Sequence, residues 1–304
     1  MSMDRLIEGI KKTGNPTVAG LDPKLDYIPA HIVQKAFAEY GETFAGAAEA
    51  LYQFNKELID ALYDIVPAVK PQAAYYEMYG WNGVKALTDT ITYAKSKGLF
   101  VITDGKRNDI GSTMEAYATA HLGKTTVGQA SLSAFGGDAL TVNGYLGTDG
   151  IDPLLNICKE MDAAIFALVK TSNPSSDELQ DRLIDGVTVY RHMGDMCEHW
   201  GEKLPGKYGY SGVGAVVGAT YPEQLTELRK ALPHTFFLVP GYGAQGGGAK
   251  DIAGAFDDNG IGAVVNSSRA IMCAWKKENC AAEDFAAAAR REAIRMKEDI
   301  TSVL

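Results

Sequence analysis

No run of eighteen apolar residues occurs anywhere in this chain, so it offers no candidate for a membrane-spanning helix. The opening residues, MSMDRLIEGIKK, also lack the apolar stretch of a secretory signal, and a cytoplasmic address is the expectation. Cysteine is scarce. The four present, Cys158, Cys197, Cys273 and Cys280, form no C-x-x-C pair, and scattered thiols suit a reducing compartment. Positive charge is in deficit: 29 Lys and Arg face 38 Asp and Glu, and the net charge of −9 argues against nucleic acid or an anionic membrane as partner. A small anionic ligand stays open, provided backbone N–H groups and one or two arginines gather locally to hold it.

Reactive signatures are missing too. There is no G-x-S-x-G elbow and no evident Cys/His pairing, so acyl transfer has no candidate nucleophile. The five histidines, His31, His121, His192, His199 and His234, fall in helical or loop stretches away from the predicted strand ends. His192, Cys197 and His199 have a spacing that fits no common metal site, so no metal is expected. Nor does any Pro/Ser linker, charge block or low-complexity tract divide the chain, and residues 1–304 read as a single domain.

What is present is a soluble composition, 46% hydrophobic and 22% charged, arranged with a regular beat. Apolar, β-type runs recur at residues 17–21 (TVAGL), 65–70 (IVPAVK), 99–104, 139–143 (ALTVN), 163–170 (AAIFALVK), 212–218 (GVGAVVG), 235–239 (TFFLV) and 261–266 (IGAVVN). Helical patterns intervene at 47–64, 81–97, 114–122, 151–159, 187–200, 222–231 and 250–257, and a last amphipathic helix covers 281–297. Eight strands alternating with helices imply a parallel sheet, and eight is the number that closes into a (β/α)8 TIM barrel. A doubly wound open sheet is the structural alternative. Residues 23–51 and 175–207 read as helical insertions after strands 1 and 5.

In a parallel barrel the site lies where the strands end. The residues found there are Asp22, Lys70, Asp104 with Lys106, Asn143, Thr171-Ser172, Thr220, Gln245 and Ser267-Ser268-Arg269. An apolar interior needs none of these polar groups, so their collection at one rim points to a site. The third strand is the richest: VITDGKRNDIGS runs from a buried strand straight into Asp104, Lys106, Arg107 and Asp109. Alternating charges there are costly to desolvate unless they pair with each other or with a ligand. In strand geometry Asp104 and Lys106 point to the same side.

Strand seven leads into PGYGAQGGGAK, whose glycines leave backbone N–H groups free to approach a phosphate. Gly241, Gly243 and Gly246 satisfy G-x-G-x-x-G, but that fingerprint belongs in a first βαβ unit, so no dinucleotide cofactor is expected. Strand eight brings the Ser268 N–H, a helix start and Arg269 beside the loop. Loops after strands seven and eight form the usual phosphate site of such barrels.

These residues carry a resemblance. V-I-T-D-G-K-R-N-D-I-G-S-T resembles the D-x-K-x-x-D-[IV] motif of the orotidine 5′-phosphate decarboxylase family, and AGLDP, VKP, VNGYLG, KTSNP, PGYGAQGG and NSSRAI extend the likeness along nearly the whole chain. The added helices resemble the family's longer bacterial subgroup; Gly144 departs, standing where those relatives carry Pro. The resemblance implies conversion of orotidine 5′-phosphate to UMP and CO2 in pyrimidine biosynthesis, without metal or organic cofactor. It implies that Asp22 and Lys70 bind the ribose hydroxyls, that Lys70 also pairs with Asp104, and that Lys106 donates the proton. Asp109, with Ile110 and Thr113, would reach into the site of a second subunit, making a homodimer with shared sites. Ser172 would contact the pyrimidine amide and Gln245, while Gln245 and Arg269 would hold the phosphate. Three rivals remain: a Schiff-base aldolase using Lys70, Lys106 or Lys170, a metal-using sugar-phosphate decarboxylase sharing D-x-K-x-x-D, and an inert nucleotide-binding barrel.

Overall fold

A computed structural model describes residues 2–243 and 248–304. Eight parallel strands, β1 (Thr17–Leu21), β2 (Ala68–Pro71), β3 (Phe100–Arg107), β4 (Ala139–Val142), β5 (Ala164–Lys170), β6 (Val213–Val217), β7 (Phe237–Val239) and β8 (Ala263–Ser267), form a closed barrel in chain order. Closure is made by β1 against β8, with Thr17 opposite Val265 and Ala19 opposite Ser267. That pairing rules out the open sheet, which would leave β1 and β8 apart.

Strand alternation sorts the side chains into two layers. Val18, Ala68, Phe100, Ile102, Phe166, Val216, Leu238 and Val264 belong to the barrel's inner cluster, while Ala19, Leu21, Val69 and Val101 pack outward against the helices. Gly214 has no Cβ because one would stand 2.5 Å from the Phe166 ring, so a glycine in β6 makes room for an aromatic in β5. The floor is sealed by a helix the sequence reading did not place, Ser2–Thr13. Its Met3, Leu6, Ile7 and Ile10 are buried in the inner cluster, the spacing of one helical face. Asp138, just before β4, is fixed at that floor by Arg5, Lys95 and the Val101 N–H.

The insertions are shorter than expected. After β1 come a 3-10 turn (Leu25–Tyr27) and one extra helix (Ala30–Tyr40); the helix Phe44–Leu62 that follows is the regular outer helix, capped where Thr43 Oγ1 accepts the Gly46 N–H at 3.2 Å. After β5 the insertion comprises a 3-10 segment (Pro174–Glu178) and a two-stranded hairpin (Leu183–Ile184 with Val187–Thr188); Val189–Gly201 is the outer helix between β5 and β6. A second exposed hairpin, Thr125–Val127 with Ala130–Leu132, lies between β3 and β4. Among the described residues no helix is long and apolar enough to cross a membrane.

Candidate active site at the barrel mouth

β3 is buried from Phe100 to Asp104 and then emerges at the C-terminal rim. Asp104, only 6% exposed, accepts three hydrogen bonds: Lys70 Nζ donates to Oδ2 at 2.6 Å, and Lys106 Nζ and Thr141 Oγ1 donate to Oδ1 at 2.7 and 2.8 Å. Burial pushes the Asp104 carboxyl up, but the Lys70 and Lys106 ammonium groups outweigh it and hold the group far below the ordinary carboxylate range. Burial of Lys70 likewise favours its neutral form, and the charges of Asp104 and Asp22 overcome that and raise it. Asp104 and Lys70 therefore stay ionised beside one another.

Asp104 and Lys106 do meet, though not by strand alternation. The β3–β4 register shifts between Thr103 and Arg107, and Lys106 adopts φ +46°. A left-handed backbone at a non-glycine residue costs on the order of 1–3 kcal/mol and is held by its surroundings. Here the Lys106 N–H is bonded to Thr141 Oγ1 at 3.0 Å. Thr141 is a site residue the sequence reading passed over; its one signal was a polar side chain inside the buried run ALTVN.

Lys70 and Asp104 line a cleft of about 420 Å³ together with Asp22, Gly241, Ser268 and Arg269. Asp22 follows β1, and its buried Oδ1 takes no hydrogen bond from the described residues. β1 can approach β8 here because position 20 is glycine: a Cβ would lie 1.9 Å from Ser268 Oγ. Ser268 Oγ accepts from Asn266 Nδ2 at 3.2 Å, and Arg269, exposed, begins a single helical turn (Arg269–Met272), the helix start expected there. Gly241 and Gly243, at φ +101° and +74°, start the glycine loop in a conformation that suits residues without a Cβ. Gln245 lies outside the described residues. Tyr242 between the two glycines donates its hydroxyl to Asp299 of the C-terminal helix, which anchors the loop's stem.

Other predicted residues stand apart from the cleft. Asp109 is half-buried beyond the end of β3, and its Oδ1 accepts its own neighbour's N–H, Ile110, at 2.9 Å. Ile110 is 50% exposed and Thr113 is exposed on the first turn of the helix Gly111–Leu122. Asn143 shapes a turn, accepting the Tyr145 N–H at 3.0 Å. Ser172 is half-buried against Gly218, close enough that a Cβ there would lie 2.8 Å from its own. Lys170, wholly buried, is engaged by Asp181 at 2.7 Å and Ser176 at 3.1 Å, with its ammonium 4.5 Å from the Tyr221 ring centre.

One histidine does sit against a strand end. Arg107 Nε donates to His121 Nε2 at 3.3 Å, and His121 stacks on Phe135 at 4.6 Å. Burial, aided by the Arg107 charge, pushes His121 down to about 4, so it is neutral at pH 7 and free to accept that bond. The same arginine reaches Glu77 and the Gly105 carbonyl, bracing the bend that carries Lys106. His192, Cys197 and His199 do not converge: Cys197 is buried, with its thiol pushed up to about 12, while His199 is 73% exposed beside Glu202. Among the described residues no three His, Cys, Asp or Glu side chains gather as metal ligands would.

Comparison with known proteins places this arrangement. The family model described as Orotidine 5′-phosphate decarboxylase / HUMPS family matches residues 47–284. An orotidine 5′-phosphate decarboxylase of Rhodopirellula baltica is 47% identical over 97% of each chain, and one of Caldicellulosiruptor bescii is 40% identical over 99% of this chain and 98% of its own. The solved Leishmania donovani OMP decarboxylase superimposes with a TM-score of 0.76 at 28% identity, covering 99% of this chain and 98% of that one. With a D-x-K-x-x-D segment ending β3, a paired Lys70 across the barrel and matching length throughout, this chain belongs to the orotidine 5′-phosphate decarboxylase / HUMPS family.

Proposed function

We propose that this chain decarboxylates orotidine 5′-phosphate, releasing CO2 and UMP. The observation that carries the reading is the Lys70–Asp104–Lys106 array, whose Lys70–Asp104 pair is ionised and lines a cleft that also holds Arg269. The C6–carboxylate bond breaks with its electron pair left in an in-plane sp² orbital of C6, which is orthogonal to the ring π-system and cannot delocalise into it. Fixed charge is the remedy such a step demands. Asp104 stands against the substrate carboxylate, a like-charge contact relieved as CO2 departs. The Lys106 ammonium stabilises the developing carbanion, gives C6 its proton and is reprotonated by water. Lys70 keeps Asp104 in place and, with Asp22, meets the ribose hydroxyls.

Arg269, Ser268 and Gln245 hold the phosphate, and Ser172 with Gln245 meets the pyrimidine amide. Binding energy from the phosphate, remote from the reacting carbon, positions the base over Lys106. Asp109, Ile110 and Thr113 of one chain complete the site of a second, so the working unit is a homodimer; Asn143 borders the mouth. Among the described residues the Asp109 carboxylate meets its own backbone neighbour, the Ile110 N–H, which supports this reading. No metal or organic cofactor is needed, and a cytoplasmic address suits the substrate.

An aldolase is disfavoured at two of its three candidate lysines: Lys70 is held protonated, and Lys170 is buried beneath Tyr221 with Nζ bonded to Asp181 and Ser176. One experiment tests the function. Orotidine 5′-phosphate absorbance is followed with purified protein in EDTA, and it should decay to that of UMP. Decay that stops with EDTA and returns with Mg2+ would sink the cofactor-free step, and tight UMP binding without turnover would indicate an inert barrel. Trapping of substrate by borohydride would indicate a Schiff base.

A further inference from the structure

Thr141 in β4 is 1% exposed, and both faces of its hydroxyl are in use. A hydroxyl has one proton and two lone pairs. The proton goes to Asp104 Oδ1 at 2.8 Å, and a lone pair receives the Lys106 N–H at 3.0 Å. Lys106 Nζ meets that same Oδ1 at 2.7 Å. One oxygen thus joins the backbone of Lys106 to the carboxylate its side chain grips.

The need for such a tie is visible in the ladder. Between Thr103 and Arg107 the β3–β4 register slips, and Lys106 sits at φ +46°. An amide there has lost its place in the regular ladder, and a non-glycine residue keeps this backbone only where its neighbours impose it. Arg107 on the Gly105 carbonyl and Asn143 on the Arg107 carbonyl brace the flanks, yet neither bond engages the Lys106 amide. The branched Cβ of threonine restricts its rotamer, which aims the hydroxyl at both partners. We infer that Thr141 is a positioning residue for proton transfer: it fixes the bent backbone of Lys106 and the orientation of Asp104 together, so that ammonium and carboxylate present themselves to the substrate in one geometry.

This rests on Lys106 as the proton donor, and the test separates the two. Lys106→Ala, Thr141→Val and Thr141→Ser are compared as full-length proteins for kcat, KM and the dissociation constant of UMP, with Thr141→Ala standing in should the valine variant not fold. Thr141→Val should lose roughly a hundredfold in kcat, the order that a misplacement of about 1 Å costs. UMP affinity should be unchanged, and Thr141→Ser should recover most of the rate. Near wild-type kcat in Thr141→Val overturns the inference. So does a parallel loss of kcat and UMP affinity, which would mark a merely structural hydroxyl, and so does a serine variant as slow as the valine one. Turnover surviving in Lys106→Ala would instead refute the proton-donor reading itself.

Discussion

Removing the Lys70 ammonium while leaving Asp104 in place should cost more stability than removing both. The two groups are 4% and 6% exposed and 2.6 Å apart, so Lys70→Met strands much of a buried negative charge. Breaking a buried pair on one side costs roughly 3–5 kcal/mol, and the lower end applies because Lys106 and Thr141 still reach Asp104 Oδ1. At roughly 2.1 cal/mol/K of unfolding entropy per residue, the 304 residues give about 0.6 kcal/mol/K, so a loss of ~3 kcal/mol lowers the melting midpoint by about 5 °C. Adding Asp104→Leu removes the stranded charge and should return most of that loss, since apolar replacement of a buried pair is often neutral or stabilising. Activity should vanish in both variants, because the reaction needs the charges that the fold tolerates losing. The assay is thermal unfolding of the ligand-free protein followed by circular dichroism, beside turnover at 25 °C. If the double variant melts below Lys70→Met, the array is a net stabiliser of the barrel and the stranded-charge account is wrong.

Further expectations follow from other parts of the molecule. Arg269→Ala should weaken orotidine 5′-phosphate far more than orotidine, since a charge-assisted phosphate contact contributes roughly 1.5–3 kcal/mol and only one substrate has it; equal losses would place Arg269 in the scaffold. Lys106→Ala and Asp109→Ala homodimers should each be nearly dead, whereas re-dimerising equal amounts should recover about a quarter of wild-type activity, because half the dimers hold one intact site of two. No recovery would assign Asp109 to its own chain. His121 has its pKa lowered on folding to about 4, so the unfolded chain binds the extra proton first, and stability should fall as pH drops from about 6.5 towards 4, at up to roughly 1.4 kcal/mol per unit. Urea midpoints at pH 7, 6 and 5 read this directly; a His121→Gln variant with the same slope would locate the effect elsewhere.

Much of the molecule was written in local pattern. A strand buried on both faces announces itself by a short apolar run, and whatever ends it lands on the rim, so Asp22, Lys70, Asp104 and Arg269, which line the cleft, could be placed there from chain order alone. The N-terminal helix, which no expectation from the sequence placed, carries its signal in the spacing of Met3, Leu6, Ile7 and Ile10. Its place under the barrel is not written there, because a helical face says that it is buried without saying against what.

Tertiary structure decided the rest. Barrel and open sheet share the same alternation of strands and helices, and only the pairing of Thr17 with Val265 separates them. The insertion after β5 ends at a hairpin because Val189–Gly201 packs as an ordinary outer helix, a fact of neighbours rather than of its own sequence. Lys106 meets Asp104 through a left-handed bend held by a hydroxyl 35 residues away in sequence. Periodicity reports how each element is buried, whereas a bond across two strands depends on register, which appears only once the barrel is closed.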